Sequence, residues 1–168
     1  AQLGTHLEGV TTLPDDSAGY GPWAGKILAG AEQQGRIYAI DPKGGVKSYE
    51  LGIKPEDFDI VPAKENFFGI DYSGNTLWGA PPSEFTGMVG DIIVAQEEPG
   101  ILWHVRWDAP SGSFQKTEIA RVKQWEHVTF STAGISEISP IDDDSRPGKL
   151  EVVAAGRGSA GLFGSPQV

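Results

Sequence analysis

Cysteine is absent from all 168 residues, which removes disulfides, thiolate metal sites and thiol nucleophiles together. No apolar stretch approaches the roughly 20 residues that a membrane-crossing helix needs. Positive charge is scarce: 13 Lys and Arg stand against 23 Asp and Glu, a formal net charge of −10. The basic residues form no patch, and nucleic-acid binding draws on clustered Lys and Arg, so that class of partner is excluded. Helical periodicity is missing along the whole chain. So are a P-loop, a GxSxG nucleophile elbow, an HExxH helix and a dinucleotide fingerprint, and no catalytic residue is assigned by motif.

Glycine and proline are plentiful instead, 23 and 12 residues, and they are scattered rather than clustered. Scattered turn formers punctuate short strands, whereas a clustered tract would read as disordered. The β-rich runs are Lys26 to Gly30, Ile37 to Ile40, Val46 to Tyr49, Phe58 to Val61, Ile92 to Ala95 and Leu102 to Trp107. Most are closed within a few residues by Gly, Pro, Asp or Asn, the spacing of hairpins in an all-β fold.

An internal repeat organises these runs. The segment YGPWAGKILAGAEQQGRIYAID (Tyr20 to Asp41) aligns without a gap onto FTGMVGDIIVAQEEPGILWHVR (Phe85 to Arg106). Gly25 meets Gly90, Ile27 meets Ile92, Glu32 meets Glu97, Gly35 meets Gly100 and Tyr38 meets Trp103. A preceding strand recurs three times, as LEGVTT from Leu7, PEDFDI from Pro55 and WEHVTF from Trp125. The pattern predicts one all-β domain over 1–168, made of about three four-stranded antiparallel units spanning 6–52, 53–122 and 123–164. The last unit has GKLEVVAAG (148–156) and AGLFG (160–164) as a weak strand-turn-strand. ENFFGIDYSGNTLWGAP (65–81) is either a hairpin added to the middle unit or a degenerate blade. Repeated four-stranded units of this length predict β-propeller-type blades; a β-sandwich is the alternative.

The stretches HLEGVTTLP (6–14) and GRIYAID (35–41) carry a resemblance to propeller families. The group in question is the six-bladed one that holds NHL repeats and the regucalcin, gluconolactonase and strictosidine-synthase-like proteins. The chain is also similar to exported bacterial proteins of unassigned function, in which such blades fill the second half of a longer chain. This resemblance implies a secreted or extracytoplasmic location. Three blades do not close a ring, so the expected partners are a second copy of the chain, as a homo-oligomer, or the remainder of a longer protein. The first residues, Ala1-Gln2-Leu3-Gly4, fit either a mature end left by signal cleavage or a boundary within such a longer chain.

Three aligned glutamates, Glu8, Glu56 and Glu126, are the candidate metal ligands. If each starts an inner strand, their carboxylates converge at one mouth of the axis, where oxygen ligands suit a hard cation such as Ca2+. In regucalcin-like enzymes, which these units resemble, a first-blade glutamate is a metal ligand, and Glu8 in LEGV matches that position. The structural alternative is that each glutamate caps a turn. His6 and Glu8 share a strand face, the geometry of a His/Glu metal pair. Trp103 and Trp107 read as core, and Asp142-Asp143-Asp144-Ser145 as a solvated acidic loop. Trp78, beside Tyr72 and Asn75 at a hairpin turn, is the candidate ligand-binding platform, with an aromatic face for a sugar; the alternative is that it packs between blades.

These features predict a non-catalytic extracytoplasmic binding or assembly module, calcium-stabilised. One alternative is a metal-dependent hydrolase of the lactonase type, with Asp57, Asp59 or His127 as base. A carbohydrate-binding module is the other.

Overall fold

The computed structural model describes residues 3–134 and the backbone of residues 151–155. The acidic run Asp142–Ser145, the strand expected over 160–164 and the glycine-rich 156–161 lie outside the described residues. The first six strands are β1 (Glu8–Thr12), β2 (Ile27–Ala31), β3 (Arg36–Ile40), β4 (Val46–Tyr49), β5 (Asp57–Ile60) and β6 (Asn66–Asp71). They are followed by β7 (Thr76–Ala80), β8 (Ile92–Gln96), β9 (Ile101–Asp108), β10 (Ser113–Arg121), β11 (Trp125–Ser131) and β12 (Glu151–Ala155). Among the described residues the one α-helical piece is the four-residue turn Ser17–Tyr20. The chain is all-β.

The strands form three antiparallel sheets of four strands each, with orders β1-β2-β3-β4, β5-β8-β9-β10 and β11-β6-β7-β12. In β3, Ile37 and Ala39 are buried while Arg36, Tyr38 and Ile40 are only partly so, the period of two that one core-facing side imposes. β8 reads IIVAQ and is buried at every position, because its sheet is covered on both faces. Leu28, Ile37 and Ala39 meet Phe58, Ile92, Val94 and Val105 in a core between the first and second sheets. Ile93, Ala95 and Leu102 meet Phe67, Trp78, Ala80, Trp125 and Val128 in a second core between the second and third. Three stacked sheets with two cores replace the two-sheet sandwich considered as the alternative.

The third sheet is not consecutive in sequence. Its central pair, β6 and β7, is the stretch that falls between β5 and β8, and its flanking strands arrive from beyond residue 124. The 65–81 stretch is therefore neither an added hairpin nor a blade of its own. The β6-β7 hairpin aligns without a gap onto β2-β3 at an offset of 40, so Phe68 stands where Leu28 does and Trp78 where Tyr38 does. Asn75, with φ +51, takes the turn position held by Gly35 at +62 and Gly100 at +73. Left-handed backbone costs most L-residues about 1–2 kcal/mol, and Asn is among the few side chains that tolerate it.

The first strands of the sheets, β1, β5 and β11, lie side by side. Gly9 permits the approach of β1 to β5: a Cβ there would sit 2.6 Å from the Cα of Asp57. Between β5 and β11, side chains do the joining. Asp57 Oδ2 accepts from the Val128 N–H at 3.0 Å and Asp59 Oδ2 from the Phe130 N–H at 3.2 Å.

Candidate functional site

The end of β2, the end of β8 and the start of β5 meet at one end of the stacked sheets, because β1 and β5 each run antiparallel to their second strand. Glu8 pairs with Gly30 near the end of β2, and the Glu56 N–H donates to the Ala95 carbonyl near the end of β8 at 2.8 Å. The residues that follow β2 and β8 are Glu32 and Glu97, equivalent in the repeat. This geometry gathers one oxygen each from Glu32, Glu56 and Glu97 within 4.8 Å of one another.

Of the three aligned glutamates expected to converge, only Glu56 belongs to this group. Glu8 and Glu126 bear on it as nearby negative charges. Glu56 is 7% exposed, and its carboxyl is pushed up to about 7. Burial is the first cause, followed by the charges of Glu8, Glu126, Glu97 and Glu32. Glu32 is raised as well, first by burial and then by Glu97, with Lys54 acting in the opposite direction. Glu97 is held in place by Gln124, whose Nε2 donates to its carboxylate, and Gln124 is in turn met by the Ser73 hydroxyl. Sequence reasoning passed over Glu32 and Glu97 although the repeat superimposes them. The third hairpin carries Tyr72 at the same position.

The other candidates are separated from this cluster or already engaged. Asp57 and Asp59, considered as bases, each clasp two backbone amides, one on β5 and one on β11. Burial raises the Asp59 carboxyl, and its backbone hydrogen bonds oppose that shift. His6 is exposed; His104 Nε2 lies 2.8 Å from Asp91 Oδ2, and His127 Nδ1 lies 3.7 Å from Asp57 Oδ2. The three imidazoles do not form one site. Trp78 is 5% exposed in the second core, so it presents no open face to a sugar; Tyr72 is 55% exposed and Asn75 serves the turn. Trp103 is partly buried against the first core, its Nε1 donating to Gln96 Oε1 at 3.0 Å. Trp107 is partly buried against Phe114, their ring centroids 4.9 Å apart.

No family model and no curated protein matches the chain. Among solved structures, selenomethionine-substituted virginiamycin B lyase from Staphylococcus aureus is similar at 18% identity and a TM-score of 0.26, over 67% of this chain and 41% of that one. A catalytically inactive form of the same enzyme with quinupristin gives 18% identity and a TM-score of 0.26, over 70% and 42%. The chain thus spans about two fifths of the length of those proteins. Likeness at this level assigns no activity.

Proposed function

We propose that the chain is a non-catalytic, extracytoplasmic binding or assembly module of β-propeller type whose end sheets are completed by a second copy of itself. One observation carries this reading: the chain bears both sides of a junction that it already makes twice. Phe58, Ile92, Val94, Trp103 and Val105 of the second sheet pack toward the first. The same positions of the first sheet hold Val10, Ile27, Ala29, Tyr38 and Ile40, and Val10 is 66% exposed. On the opposite side, Ile93, Ala95 and Leu102 of the second sheet pack toward the third. The third sheet repeats those positions as Phe68, Ile70 and Leu77, all partly exposed on its far face.

A surface of one kind at one end and its complement at the other makes a heterologous contact, which closes into a ring when the rotation per copy allows. Burying apolar area at about 25 cal/mol per Å2 drives such closure. Engagement of Asp57 and Asp59 with the backbone supports the non-catalytic part of the reading. No helix among the described residues is long and apolar enough to cross a membrane.

Light scattering of the purified chain tests the proposal. Expected is a mass that is a multiple of the chain mass, returned to that of one chain by Val10→Asp, a change on an exposed position. A single-chain mass at every concentration, or an assembly indifferent to Val10→Asp, would overturn it.

A further inference from the structure

We propose that Glu32, Glu56 and Glu97 bind a divalent cation of the calcium class where the first and second sheets meet. Three carboxylate oxygens within 4.8 Å of one another repel unless something positive lies between them. Proximity is joined by a separate observation at Glu56. The buried polar side chains among the described residues are Glu56, Asp71 and Gln96. Asp71 accepts from the N–H groups of Gly74 at 2.9 Å and Gln124 at 3.1 Å. Gln96 accepts from Trp103 Nε1 at 3.0 Å and donates to the Glu98 carbonyl at 2.7 Å. Glu56, 93% buried by its 7% exposure, has neither a hydrogen-bond donor nor a cation against its carboxylate among the described residues. Buried polar groups are otherwise paired throughout proteins, and a lone buried carboxylate is costly. It faces the two other acids.

The donor set selects the ion. Calcium takes about six to eight oxygen ligands, carboxylates among them, in flexible geometry, whereas magnesium keeps several waters and is usually held through one or two carboxylates. Three carboxylates gathered at one point suit calcium. Glu8 and Glu126 add negative potential from outside the ligand group. The site lies within one chain, so it stands or falls separately from the assembly proposed above.

Isothermal titration calorimetry of the chelator-treated full chain with calcium chloride, and in parallel with magnesium chloride, tests the site. Expected is one saturable calcium per chain, weaker binding of magnesium, and loss of calcium binding in Glu56→Gln and in Glu97→Gln. The second variant lies at a half-buried turn and keeps the test open if Glu56→Gln does not fold. Glu118→Gln, in an exposed pair with Arg121, serves as the control that retains binding. Absence of saturable calcium binding, or binding unchanged in a folded Glu56→Gln or Glu97→Gln protein, would overturn the proposal. It would leave a proton as what neutralises Glu56.

Discussion

Asp57 Oδ2 lies 3.0 Å from the backbone nitrogen of Val128, a contact that spans 71 residues and joins the second sheet to the third through a side chain. Asp59 and Phe130 repeat the contact two residues further on, again 71 apart. Each aspartate also accepts from the N–H of the residue that follows it, Phe58 or Ile60. The two carboxylates therefore act as a clasp along the inner strands. They supply acceptors where β11 has no neighbouring strand of its own sheet.

Removing the clasp should loosen the third sheet. A charged hydrogen bond of this kind contributes about 1.5–3 kcal/mol, and its loss leaves buried amides unpaired. Asp57→Ala and Asp59→Ala should each lower unfolding free energy by about that amount in urea titrations, with Asp57→Asn milder. Unchanged midpoints in both alanine variants would remove the clasp from the stability of the fold.

Metal-free protein should be most stable in mild acid. The folded Glu56 carboxyl is raised from 4.5 to about 7, so the folded state holds its proton more tightly than the unfolded chain. The stability this adds is fully present below pH 4.5 and is lost as pH rises to about 7, a difference of about 3 kcal/mol. Glu32 and Asp59, also raised, add slope of the same sign. Thermal melts in chelator should show the melting temperature falling between pH 5 and 8. Glu56→Gln should flatten that slope; a variant as steep as the parent would mean that other groups cause it.

Trp78 serves the core. It packs with Phe67, Ala80, Trp125 and Val128, and truncating a buried aromatic costs about 3–5 kcal/mol. Trp78→Ala should therefore reduce stability by that order in denaturant titrations. A folded, equally stable Trp78→Ala protein would reopen the ligand-platform reading.

The first sheet was legible because its four strands are consecutive and its hydrophobic residues alternate, as in Ile37 and Ala39. The offset of 65 exposed the second sheet for the same reason, since Ile27 and Ile92 answer to the same packing. Sheet three was not legible. β6 and β7 look like a free hairpin, and nothing local in Asn66–Ala80 records that β11 and β12 arrive from more than 50 residues away. Trp78 beside its turn therefore read two ways, as a sugar platform or as packing between blades, and the second is what the core shows. Its equivalence to Tyr38 and Trp103, at an offset of 40 from Tyr38, was the available signal.

The candidate site was half legible. Glu56 was visible because it precedes a strand in each of three copies. Glu32 and Glu97 were visible as repeat equivalents but carried no mark of a site, because depth is set by the sheet stacked alongside. Convergence of Glu8, Glu56 and Glu126 assumed that equivalent positions meet. The ends of β2 and β8 also bring their own acids to Glu56, whose carboxyl feels the charges of Glu8 and Glu126 as well.

Assembly by repetition of the internal junction has a direct test, made clean by the absence of cysteine. Phe130 contacts Asp59 across the second junction, and the repeat places Thr12 at the position of Phe130 and Thr129 at that of Asp59. Both threonines are exposed, Thr12 on the first sheet and Thr129 on the third, where its hydroxyl also meets Asp59. A chain carrying Thr12→Cys and Thr129→Cys together should form disulfides between copies on mild oxidation, giving covalent species of closed size on denaturing gels. Single-cysteine chains should give none between Thr12 and Thr129. Failure of the double variant to cross-link, while it remains folded, would contradict completion of the end sheets by a second copy.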